Sequence, residues 1–75
     1  MSMNYAYNYA EIDMSTNMCV GFQSVSNAIS PDELPSNWVL VSVNDPEYIC
    51  KFYNWDNGKF YYDPEYTQEY VSPLL

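Results

Sequence analysis

Histidine and arginine are absent from the 75 residues, and lysine occurs only as Lys51 and Lys59. Without histidine there is no Ser-His-Asp triad, no Cys-His pair and no imidazole-ligated metal. Two cations cannot make a phosphate-binding surface. Ten acidic residues set the formal net charge at −8, which repels a nucleic-acid backbone. Long apolar runs are also missing, and the stretch around Val39-Leu40-Val41 is far short of a membrane span. No basic residue precedes an apolar stretch near Met1, so no signal peptide is expected. A chain of this length makes at most one domain, 1–75, and buries only about 60% of its unfolded surface. Cysteine is scarce as well. Cys19 and Cys50, with no secretory context, read as free and buried rather than bridged. There is no CxxC pair to begin a zinc site, and neither thiol has a histidine to activate it.

What the chain does have is aromatic surface. Nine Tyr, three Phe and two Trp make up 19% of it, against four Leu. Disordered acidic chains are poor in aromatics, so a folded domain is expected. Tyrosine has a large apolar face and a polar tip, which suits half-buried positions and interfaces. Eight Asn, eight Ser and five Pro supply turn chemistry.

Period-two alternation marks the strands. Residues 5–12 place Tyr5, Tyr7 and Tyr9 on one face and Ala6, Ala10 and Ile12 on the other. After a loop at 13–17, residues 18–24 alternate again, predicting an antiparallel hairpin. Gly21 inside the second arm predicts a bulge or a close approach. Residues 25–37 are a polar connection with one helical turn opening at Ser30-Pro31. Trp38–Val43 is β-branched and alternating, with Val39, Val41 and Val43 on one face. Asp45-Pro46-Glu47-Tyr48 recurs as Asp63-Pro64-Glu65-Tyr66. Each copy has an N-cap acid, a proline suited to the first turn and a ring pair four residues apart, predicting short helices near 46–51 and 64–71. A strand over 48–53 is the rival for the first. Between the copies, Asn57-Gly58 separates two aromatic arms, a strong hairpin signal in which both residues accept positive φ. Residues 72–75 are expected to fray.

Catalytic and metal chemistry find little support. A calcium loop with Gly58 at its sixth position would put Tyr53 and Trp55 at ligand positions, so that motif fails. The pairs Asp45/Glu47 and Asp63/Glu65 resemble a glycosidase couple in number only, because capping explains them. No enzyme activity, cofactor or metal is expected. The rings around the second hairpin could stack bases, but the charge opposes it. Cross-strand pairing accounts for part of them, and the remainder are interface material. The candidate protein-binding residues are Tyr5, Tyr7 and Tyr9 on the first hairpin, and Trp55, Tyr61 and Tyr62 on the second.

The order of these features resembles small phage-encoded virion or tail-associated proteins. Those open with a "YA-x-I-(D/N)…N-x-CVG-x-x-x-x-S" hairpin and close with a "KxY…NGxF" hairpin. Here the first block is Tyr9-Ala10-Glu11-Ile12-Asp13 with Asn17 to Ser24. The second is Lys51-Phe52-Tyr53 with Asn57-Gly58-Lys59-Phe60. The pattern often has Gly before the Lys of the second block, where Cys50 stands here. The resemblance covers residues 9–63. It implies a small β domain in a bacteriophage particle, attached to a fibre, baseplate or head protein and without catalytic residues.

The expected fold is therefore β-rich (small α+β), with two β-hairpins and a central strand forming a small antiparallel sheet with short helical turns. The expected function is that of a virion accessory or adaptor, made in the host cytoplasm. It would dock on a phage structural protein through aromatic contacts, and homo-oligomerisation is compatible with this. The competing expectation is an acidic inhibitor that mimics DNA and occupies a host protein's basic groove.

Overall fold

The computed structural model describes residues 7–75. Among these residues six strands form two antiparallel three-stranded sheets. The first has the order β2-β1-β3, with β1 at Tyr7–Ile12, β2 at Cys19–Val25 and β3 at Trp38–Val41. The second has the order β4-β5-β6, with β4 at Phe52–Asn54, β5 at Lys59–Tyr61 and β6 at Glu69–Tyr70. The β-rich class and both hairpins are as the sequence predicts. The strands nevertheless divide into two sheets, and the middle position of the first belongs to β1, not to the Trp38 strand.

Position explains the burial of β1. Its core face carries Asn8, Ala10 and Ile12, all buried. Asn8 is satisfied there by the Ser24 hydroxyl, which donates to Asn8 Oδ1 at 2.8 Å. On the opposite face Tyr9 is buried too, because the polar connection folds over it and the Ile29 N–H donates to its hydroxyl at 3.1 Å. The first loop is built by Asp13, whose carboxylate accepts the Ser15 N–H at 2.9 Å and its hydroxyl at 2.8 Å. Asn17 closes that loop at φ 64°, a conformation asparagine tolerates.

A register shift between Glu11 and Ile12 places the bulge beside Gly21. The two sheets join where Met18 bridges Phe52. Backbone bonds from Cys19 N–H to Lys51 O and from Tyr53 N–H to Asn17 O, both 2.8 Å, flank that bridge. Between the sheets lies a core of Ala10, Ile12, Cys19, Tyr48, Tyr53, Phe60 and Tyr70, with Val39, Val41 and Val43 packed against it. Tyr48 is its hub, 4.6 Å from the Phe60 ring, 5.3 Å from Tyr70 and 6.1 Å from Phe22.

The two predicted helices are corrected. The first is one 3-10 turn, Pro46–Tyr48, capped by Asp45, which accepts the Glu47 N–H at 3.0 Å. Ile49 leaves the helical region with ψ 135° and Cys50 turns left-handed at φ 75°, so the chain is released into β4. The second, 64–71, does not form. Tyr66 adopts φ 59°, and Asp63 captures the N–H groups of Thr67 at 3.0 Å and Gln68 at 3.1 Å. Gln68 then accepts the Tyr62 N–H at 2.8 Å, which starts β6 alongside β5.

The Asn57-Gly58 hairpin forms, but as the four-residue turn 55–58. Only Gly58, at φ 73°, is left-handed, while Asn57 caps the Lys59 N–H at 3.0 Å. Gly58→Val is expected to cost roughly 1–3 kcal/mol, because a β-branched side chain resists positive φ. Gly21→Ala is expected to stay within about 0.5 kcal/mol. A Cβ there meets Glu11 Oε1 at 2.9 Å, the flexible end of a side chain that can swing aside. Urea denaturation of both variants checks this, and equal losses would remove the turn assignment.

Candidate functional site

The predicted interface residues separate into different environments. Tyr5 lies outside the described residues. Tyr7 is half-buried and Tyr9 is core, pinning the connection over β1 with its ring 6.1 Å from Trp38. On the second hairpin the rings turn outward. Trp55 is 42% exposed and Tyr62 57%, while Tyr61 is half-buried.

Strand alternation puts Tyr53, Phe60 and Tyr70 on the inner face of the second sheet and Phe52 and Tyr61 on its outer face. Tyr61 packs there against Tyr66 at 5.3 Å, and its hydroxyl accepts Asn57 Nδ2 at 2.8 Å. Trp55, in the hairpin turn, meets the Tyr53 ring edge-to-face at 4.8 Å. Asn17 ties these groups together. Its Oδ1 accepts Trp55 Nε1 at 3.1 Å, and its Nδ2 donates to the Tyr66 hydroxyl, also at 3.1 Å. Trp55, Tyr66 and Tyr61 thus form one linked aromatic ridge. Tyr62 belongs elsewhere: it lies edge-on to Tyr70 at 5.5 Å, with Lys51 Nζ 5.2 Å from its ring centre. The ridge members missed from the sequence are Asn17 and Tyr66. Nothing local marks a loop asparagine as the partner of a tryptophan 38 positions away.

The acidic residues serve the fold in several places. Asp45 is 4% exposed and accepts both the Glu47 N–H and the Tyr70 hydroxyl. Burial acts to raise its carboxyl, but hydrogen bonds from Ser72, Tyr70 and the Glu47 N–H prevail and hold it below the usual carboxylate range. Burial, reinforced by the Asp45 carboxylate, pushes the Tyr70 phenol far up. Ser72, placed by sequence in a fraying tail, is 3% exposed, and its hydroxyl accepts the Leu74 N–H at 3.1 Å. The Asp13 carboxyl is lowered chiefly by the Ser15 N–H, and the Asp63 carboxyl chiefly by the Thr67 hydroxyl. Among the described residues no three acidic or cysteine side chains converge as a metal site.

The cysteines are both free, but only Cys19 is buried, and the expectation that Cys50 is buried is corrected by its exposed, left-handed turn. Burial pushes the Cys19 thiol up. Native protein is expected to take one iodoacetamide label quickly, at Cys50, and a second only in denaturant. Intact mass checks this, and two rapid labels, or none, would contradict it.

Among the described residues no helix is long and apolar enough to cross a membrane. No protein-family model matches the chain, and neither a curated protein nor a solved structure shows significant similarity to it.

Proposed function

We propose that this chain is a non-enzymatic docking accessory of a phage particle, seated on a fibre, baseplate or head protein through the ridge of Trp55, Tyr61 and Tyr66. The observation that carries this reading is the state of Trp55. It offers a large exposed ring that is already fixed by Tyr53 and Asn17, so little side-chain entropy remains to be lost on binding. Pre-ordered Trp and Tyr rings are the usual anchors of protein interfaces. Cys50 adds support from the chain's resemblance to virion proteins. Cys50 itself departs from the pattern, but its φ of 75° lies where that pattern often has glycine, the residue this conformation favours.

Mass spectrometry of purified particles for this chain tests its place in the virion. Affinity measurements on particle proteins test the mode. Trp55→Ala is expected to weaken binding by about 2 kcal/mol or more. Replacing Asp32 and Glu33, or Glu65 and Glu69, by their amides should change it little. The net charge of −8 favours a second reading, an acidic inhibitor. Under that reading the carboxylate variants and added salt would abolish binding, while the ring variant would not.

A further inference from the structure

Trp38-Val39-Leu40-Val41-Ser42-Val43 contains no charge and no proline, and β3 pairs with β1 without a bulge. Edge strands are normally guarded by one of these devices against pairing with another chain. The ladder shows which groups are left over. Ile12 N–H donates to Asn37 O at 2.8 Å, so in this register Ala10–Val39 and Asn8–Val41 are the hydrogen-bonded pairs and Tyr9–Leu40 is not. The Leu40 N–H and C=O therefore point away from β1. Among the described residues no strand takes them, and the Leu40 side chain is 57% exposed.

The other end of the fold has the same vacancy. With the sheets joined at Met18 and Phe52, the spatial order is β3-β1-β2-β4-β5-β6, an open curl whose first and last strands are edges. A groove of about 350 Å³ lies between those edges. Leu40 and Ser42 bound it on one side and Glu69 and Val71 on the other, with Tyr48 and Phe60 among its lining.

We infer that this seam is a docking site for an extended strand of a partner protein, carrying small apolar residues at alternate positions and basic residues at its ends. The added strand bonds to the Leu40 backbone and places alternate side chains in the groove, the β-augmentation mode of recognition. Charge selects the partner. A second copy would bring another −8 against this −8, whereas a basic strand meets an opposite overall field. At the rim itself Glu69 stands 3.9 Å from Lys59, so the selection comes from the net charge of the domain and not from Glu69 alone. Groove and ridge present different surfaces, since Phe60 at the groove and Tyr61 on the ridge occupy opposite faces of β5, and they meet only at Tyr53, which lines the groove and packs on Trp55.

The test uses the full chain, isotope-labelled for NMR, and a capped peptide Lys-Thr-Val-Thr-Val-Thr-Lys, with its Glu-ended counterpart as control. The basic peptide is expected to shift amides 39–42 and 69–71 and to slow exchange at the Leu40 N–H, with the acidic peptide binding more weakly. Leu40→Pro removes an N–H the fold does not use, at an edge position where proline is tolerated. It is expected to weaken binding about tenfold or more, as loss of strand hydrogen bonds requires. If that variant fails to fold, N-methylation of the peptide at its β3-facing residue removes the companion bond, from the peptide N–H to the Leu40 C=O, and must likewise weaken binding. The inference is overturned by a Leu40 amide already protected in the free chain, by equal binding of the acidic peptide, or by no shift at millimolar basic peptide. Shifts centred on Trp55 and Tyr61, or a dimer by sedimentation that the peptide disrupts, also overturn it. None of these outcomes bears on Trp55→Ala affinity for particle proteins, which tests the ridge separately.

Discussion

Asp45→Ala is expected to destabilise the fold by about 3 kcal/mol, a large share of the roughly 4–11 kcal/mol available to a chain of this length. Two losses combine. The 3-10 turn loses its cap at the Glu47 N–H, typically worth about 1 kcal/mol. The Tyr70 hydroxyl, on a ring 8% exposed, loses an ionised acceptor, and hydrogen bonds to charged groups contribute about 1.5–3 kcal/mol. The sum is taken near its lower end because the two bonds share one carboxylate and their losses are not additive. Tyr70→Phe removes only the second bond and is expected to cost less. The pH dependence has a definite sign. The Asp45 carboxyl is lowered in the fold, so its contribution is complete above the unfolded value near 4 and is lost as pH falls through the native value. The melting temperature of Asp45→Ala should therefore fall less than that of the parent between neutral pH and pH 3. A parallel fall in the two proteins would show that Asp45 is not the group being titrated.

The same residue marks what the sequence could and could not reveal. Asp45-Pro46 reads as a cap and is one. Its repeat, Asp63-Pro64, reads identically and is not. The difference lies four residues on, outside the repeated tetrad. Thr67 offers both an N–H and a hydroxyl to Asp63, whereas Ile49 has no side-chain donor for Asp45. Asp63 therefore spends its oxygens closing a loop, and Tyr66-Thr67 is drawn back toward β5. The local propensity was the same in both copies, and a hydroxyl at one position decided the outcome.

Strand patterning was legible for a related reason. Val39, Val41 and Val43 repeat with the period of the pleat and all pack against the core. What alternation cannot supply is the number of covered faces. The Tyr9 face of β1 looked solvent-accessible because its residues are amphipathic, yet the connection from 26 to 37 folds over it, anchored by the Ile29 N–H. The ridge was half legible. Trp55 and Tyr61 follow from the hairpin, while Asn17 and Tyr66 come from loops whose left-handed residues bring them together only in three dimensions.

Tyr48→Ala is expected to have the largest effect of any single ring, about 3–5 kcal/mol, the range for removing a buried aromatic side chain. Tyr48 packs on Phe22 of the first sheet and on Phe60 and Tyr70 of the second, so its removal opens the core between the two sheets at once. Tyr48→Phe keeps every ring contact. The hydroxyl has no protein hydrogen-bond partner among the described residues, and the side chain borders the groove, so this variant is expected to stay within about 0.5 kcal/mol. Urea denaturation separates the two, with the midpoint falling in Tyr48→Ala while the slope is retained. Hydrogen exchange adds a spatial check. Because β1 and β5 meet this core from opposite sheets, amide protection in both should fall together in Tyr48→Ala. Loss confined to the second sheet would mean that the Met18–Phe52 bridge, not the Tyr48 ring, holds the two sheets as one unit.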